Sequence, residues 1–153
     1  MATAPPLSLV WFRNDLRLHD HPALQAAAES GAVLPVYVVD PRLQQQGFLD
    51  VPRRGGYRAQ FLAESLATLD ARLRAIGSYL HVVRGNPAAA LPRLAQEMGA
   101  TTIHYHNEAA HEETQLEAAL QQACSRLGIG CAGHEGQTMY AEHELPFQRR
   151  HVP

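Results

Sequence analysis

Apolar positions along this chain form two patterns that take turns. Leu7 to Phe12 is an apolar run with no alternation and no charge, as expected of a strand covered on both faces. Val33–Val39, Tyr79–Val83, Thr101–His106 and Ile129–Ala132 read as four more strands. Between them the period changes to that of a helix. Pro22 to Ala28 is rich in alanine and stops at Gly31, with Asp20 as the expected cap. Tyr57 to Ile76 places Phe61, Leu62, Leu66, Leu69, Leu73 and Ile76 on one face. Ala88–Met98 follows the turn Arg84-Gly-Asn-Pro87, and Pro92 is expected to delay its start. The last helix opens in the polar stretch Asn107–Glu113, runs to Leu127, and buries Leu116, Ala119, Leu120, Ala123 and Leu127. Pro35 counts mildly against a central second strand, because it lacks a ladder donor.

Strictly alternating strands and helices predict an α/β fold: a doubly wound, Rossmann-like, parallel five-stranded sheet with helices on both faces. The expected strand order is 3-2-1-4-5. In that order the connections leave the first strand in opposite directions, so the carboxyl ends of strands one and four open a crevice. Arg13, Asn14 and Asp15 then face His106, Asn107 and Glu108 across it.

Composition narrows the chemistry. All 13 basic side chains are arginine and the formal net charge is −2. Lacking lysine, the chain cannot use a Schiff base or a P-loop lysine, and without a basic excess it is expected to be a poor DNA binder alone. No run is long enough to cross a bilayer, and Met1–Pro6 does not resemble a signal peptide, so the expected compartment is the cytoplasm. Cys124 and Cys131 read as small buried thiols. G-x-G-x-x-G, P-loop and nucleophile-elbow signatures are all absent.

The crevice is the candidate site. Glu108 offers two acceptor oxygens to an amide or aminopyrimidine edge, although an acid before a helix is also favoured by the helix dipole. His104 and His106 share a strand face near His111 and Glu112, but the spacing is weak for zinc and no metal is expected. Arg53-Arg54-Gly55-Gly56 suits a phosphate less well than a solvated loop. Glu112 and Glu113 read as a solvated helix face, and Trp11 as core.

One stretch is more specific. Trp11-Phe-Arg-Asn-Asp-Leu-Arg-Leu-His-Asp-His-Pro-Ala-Leu24 resembles the amino-terminal signature of DNA photolyases and cryptochromes. Tyr57-Arg58 with Phe61 to Asp70, and Arg84-Gly-Asn-Pro87, agree in order. His106-Asn-Glu108 with Glu112-Glu113, and Thr138-Met-Tyr140 with Leu145-Pro-Phe147, are most similar to the DASH branch.

The resemblance implies an antenna domain over residues 1–135 and an irregular tail, 136–153, leading towards a helical FAD domain. Such a domain holds methenyltetrahydrofolate or a deazaflavin. The FAD domain, as partner, binds DNA and performs light-driven repair of pyrimidine dimers or blue-light reception. The chain alone is then catalytically incompetent, and it holds the pigment weakly or not at all because the folate of DASH members touches both domains. Carried over by position, Glu108 matches the carboxylate used on folate, Asn107 and His106 flank it, and Arg13, Asp40 and Arg53 lie at strand ends and in the loop lining the antenna site. Two other readings stand beside this one: a nucleotide-binding or regulatory module, and an interaction module for a separate flavin-bearing chain.

Overall fold

A computed structural model describes residues 5–44 and 55–136. Arg53, Arg54 and the tail from residue 137 lie outside the described residues. The chain runs β1 (Leu7–Phe12), α1 (Pro22–Ser30), β2 (Ala32–Val39), a short 3-10 turn (Pro41–Gln44), α2 (Gly56–Ala75), β3 (His81–Arg84), α3 (Pro87–Met98), β4 (Ala100–His106), α4 (His111–Arg126) and β5 (Gly130–His134). All strand pairs are parallel and the sheet order is β3-β2-β1-β4-β5, as expected.

Alternate side chains of β1 divide the core. Leu9 and Trp11 pack with α3 and α4 through Leu91, Leu94, Leu120 and Cys124. Val10 and Phe12 pack with α1 and α2 through Ala27, Leu69 and Leu73. This is the period of two expected of a strand covered on both faces. Pro35 is accommodated because pairing to β3 begins only at Val36↔His81, so on that side the donor it lacks has no carbonyl to serve. At the other end of the sheet Gly31, at φ +154°, passes so close to Pro6 that a Cβ would lie 2.4 Å from the Pro6 carbonyl oxygen.

Four expectations are corrected. The cap of α1 is His21, whose Nδ1 accepts the Leu24 N–H at 3.1 Å; Asp20 lies one residue earlier in a left-handed conformation. Pro92 does not delay α3, which starts at Pro87, because the Ala89 and Ala90 amides already close the first turn on the Asn86 carbonyl. On α2, Leu69 and Leu73 are buried, but Phe61 and Ile76 are 70% and 72% exposed. On α4, Leu120 is buried, but Ala119 and Leu127 face solvent and the buried positions are completed by Glu117 and Cys124.

These contacts set unequal sensitivities. Leu120→Ala should lower unfolding free energy by about 2–5 kcal/mol in a denaturant titration, whereas Phe61→Ser should change it by less than about 0.5 kcal/mol.

Candidate functional site: a cleft at the sheet's carboxyl end

Five residues after β1, β2 and β4 converge because parallel strands end on one side and the chain reverses direction at β1. They border a cleft of about 800 Å³. Arg13 and Asn14 come from the end of β1, Asp40 and Arg42 from that of β2, and Glu108 from that of β4. Asn86 and Pro87 enter from the start of α3, Arg58 from the first turn of α2, and Glu112 and Glu113 from that of α4. Trp11, Phe12, Tyr37 and Leu116 supply apolar wall. Flat rings have surface to lie against here, and ring N–H groups have carboxylates to meet.

Arg13 is buried and organises the wall. Its Nη1 donates to the His106 carbonyl at 3.0 Å and to Glu117 Oε1, and its Nη2 lies 3.4 Å from Glu108 Oε2. Its guanidinium stacks over the Trp11 ring, 4.5 Å from the centroid. Glu117 Oε1 also accepts the Glu108 backbone N–H at 2.9 Å. Asn14 Nδ2 donates to Glu108 Oε1 at 2.7 Å. The two motifs that the sequence places opposite one another, Arg13-Asn-Asp15 and His106-Asn-Glu108, are thus bonded directly.

Asp15 carries the second half of that junction. Its Oδ1 accepts the Arg13 N–H at 2.8 Å, and its Oδ2 lies 3.0 Å from His106 Nδ1 and 2.8 Å from His21 Nε2. The ligand-type atoms of Asp15, His21 and His106 lie within 4.8 Å of one another and all three residues are buried. Their protons nevertheless do not suit a metal. His21 Nδ1 spends its lone pair on the Leu24 amide, so its neutral ring carries the proton on Nε2, facing Asp15 although out of line for a good hydrogen bond. His106 Nδ1 can approach a carboxylate oxygen that closely only as a donor. A cation at His21 Nε2 would leave that ring with no nitrogen for its proton, and the trio is a carboxylate held between two imidazoles. His106 Nε2 has no partner among the described residues and lies against Gly136, where a Cβ would come within 2.2 Å of it.

The predicted site residues therefore separate. Arg13, Asp40 and Glu108 line the cleft. Asp40 also binds Arg42 through both carboxylate oxygens. His106 is turned away into the Asp15 cluster. Asn107 donates its N–H to the His134 carbonyl at 2.9 Å, and its side chain is so near Gly133 that a Cβ there would lie 2.0 Å from Oδ1. Neither lines the cleft, whereas Glu112, Glu113, Arg42 and Arg58 do. His104, His106, His111 and Glu112 do not converge as ligands: His104 Nδ1 pairs with His134 Nε2 at 3.0 Å, and His111 Nε2 with Gln115 Nε2 at 3.0 Å. Cys124 is buried and Cys131 half-buried, both as free thiols. Glu117 is the residue sequence reasoning missed. Its signal was a charge at helical spacing with Leu120 and Cys124 on an otherwise apolar face.

A parallel sheet of this order with a cleft at its topological switch point defines a doubly wound, Rossmann-like α/β domain. The DNA photolyase family model matches residues 8–153, and the chain belongs to that family. It is 40% identical to the cryptochrome DASH of Synechocystis over 100% of this chain and 32% of that protein. It is 40% identical to the blue-light photoreceptor PHR2 of Arabidopsis thaliana, over 95% of this chain and 33% of that protein. The crystal structure of Synechocystis cryptochrome superposes with a TM-score of 0.92 at 38% identity, covering 100% of this chain and 32% of that one. An archaeal photolyase from Sulfolobus tokodaii, described as holding two FAD molecules with the implication of a novel light-harvesting cofactor, gives 0.81 at 26% identity over 94% of this chain and 32% of that one. The chain thus spans about a third of the length of these relatives. Among the described residues, no helix is long and apolar enough to cross a membrane.

Burial pushes the Asp15 carboxyl up, but His21, the Arg13 amide and His106 outweigh it and bring it from 3.8 down to about 2. A carboxylate more acidic folded than unfolded stabilises the fold above its unfolded value, and that contribution disappears as pH falls from about 4 towards 2. Asp15→Asn should remove about 2 kcal/mol of pH-dependent stability from that acid limb, followed by circular dichroism. An unchanged limb would contradict the clamp.

Proposed function

We propose that this chain is the antenna-binding domain of a photolyase or cryptochrome, with the cleft at the carboxyl ends of β1, β2 and β4 as the pigment site. The observation that carries this is the meeting of Glu108, Asn14 and Arg13 at the switch point, bordered by Trp11 and Tyr37. Aromatic and aliphatic wall receives a flat heterocycle. Glu108 accepts from its amino or ring N–H groups, and the arginines at the rim meet its carboxylate or phosphate. A pigment of this class absorbs light and passes the excitation to a flavin.

Methenyltetrahydrofolate is the first candidate, its amino and ring N–H groups donating to the carboxylate of Glu108. A deazaflavin is the second candidate, and FAD is a third, prompted by the archaeal structure's description. Asp40 sits at the rim, where it fixes Arg42, and Arg53 belongs to the segment leading to α2. Asn107 and His106 act behind Glu108, holding β4 and β5 together and orienting Arg13 through the His106 carbonyl. The partner is a carboxyl-terminal helical domain that carries FAD and, through that domain alone, DNA; dimer repair or blue-light signalling belongs to the pair. A cytoplasmic location goes with this reading.

The purified chain, run by gel filtration in buffer equilibrated with methenyltetrahydrofolate, a deazaflavin or FAD so that weak binding persists, should retain methenyltetrahydrofolate by its near-ultraviolet absorbance. Glu108→Ala should weaken that retention at least about tenfold, the loss expected on removing a hydrogen bond to a charged acceptor. Retention of FAD alone, insensitive to Glu108→Ala, would favour a nucleotide-binding module instead.

A further inference from the structure

We infer that Glu117 is the positioning residue of this site: by neutralising Arg13 and fixing the Glu108 amide, it leaves the Glu108 carboxylate available to a ligand. The inference rests on the antenna reading for its ligand, but its geometry stands independently. Arg13 is one buried cation within reach of two carboxylates. If Glu108 were its principal partner, that carboxylate would be neutralised and drawn back into the wall. The distances assign the pairing otherwise. Glu117 makes the direct hydrogen bond to Nη1, whereas Glu108 stands off at 3.4 Å from Nη2 and takes the neutral Asn14 amide at 2.7 Å instead.

The same Glu117 oxygen reaches back nine residues to the Glu108 N–H. This matters because the segment before α4 has no capping side chain of its own: Ala110 occupies the cap position. Glu117, buried in the second turn of α4, instead ties that segment to the helix through a loop amide two residues before the cap position. It sets both where the Glu108 backbone sits and which charge Arg13 answers to. Glu117 does not border the cleft itself, so its effect on a ligand passes through Glu108.

Glu117→Gln keeps an acceptor oxygen for the amide but removes the charge, which releases Arg13 to pair with Glu108. Titrating the full chain with methenyltetrahydrofolate, followed by fluorescence, should give about a tenfold weaker Kd for Glu117→Gln. In a Glu108→Gln background the same substitution should cause no further loss, since its route to the ligand is gone. Full additivity of the two losses, or an unchanged Kd for Glu117→Gln, would overturn the inference.

A second measurement needs no ligand. Glu117→Asp is one methylene too short to reach, so the Glu108 amide should exchange with solvent at least about tenfold faster by NMR, with the central sheet amides still protected. Unchanged protection of that amide overturns the positioning role. If the wild-type chain retains none of the three pigments while the amide behaves as expected, the antenna reading fails and the Glu117 assignment survives.

Discussion

A buried guanidinium at the end of β1 is the constraint around which the carboxyl face of this domain is built. Removing Arg13 from water is costly, and the cost is offset only if its donors find acceptors and its charge a counter-charge. Glu117 from α4, the His106 carbonyl from the end of β4 and the face of Trp11 supply these. Two elements distant in sequence, β4 and α4, are thereby fixed to the end of β1. Breaking a buried pair of this kind by deleting one partner typically costs about 3–5 kcal/mol, so the geometry of the cleft and the stability of the domain are not separable here.

The Asp15 cluster is a second tier behind the first. Asp15 fixes the Arg13 backbone from one side while the Arg13 guanidinium grips β4 from the other. His21 belongs to both this cluster and helix α1, because one ring nitrogen caps the helix and the other faces the carboxylate. The start of α1, the end of β1 and the end of β4 are thus connected through two imidazoles, His21 and His106, and the Asp15 carboxylate between them. Asp15, His21 and His106 in contact thus brace these three chain segments against one another.

Much of this was legible in the chain. Five strands, four helices, their order and the choice of β1 as the central strand follow from hydrophobic period and from the handedness of crossovers. The pairing of Arg13-Asn-Asp15 with His106-Asn-Glu108 followed from that topology. The errors have local causes. Asp20 is the better cap by propensity, but His21 caps α1 because Asp15 and His106 hold its ring. Phe61 has the spacing of a core residue, yet it is exposed while its neighbour Leu62 packs against the core from the same turn of α2. Glu117 was passed over because a charged residue in a helix is by default solvated, and only the position of Arg13 makes its burial favourable.

The sequence by itself determined the architecture, because alternation of period two and period 3.6 with right-handed crossovers admits few solutions. It also determined the neighbourhood of the site, because parallel strands must end on the same side. Only the tertiary structure decided which side chains face the cleft and which are turned away: His106 and Asn107 inward, Glu112 and Glu113 to the rim. The reason is that topology fixes where a strand ends to within a residue or two. Partition of charges among Arg13, Glu108 and Glu117 depends instead on which carboxylate makes a direct hydrogen bond and which stands off at 3.4 Å, which no pattern along the chain encodes.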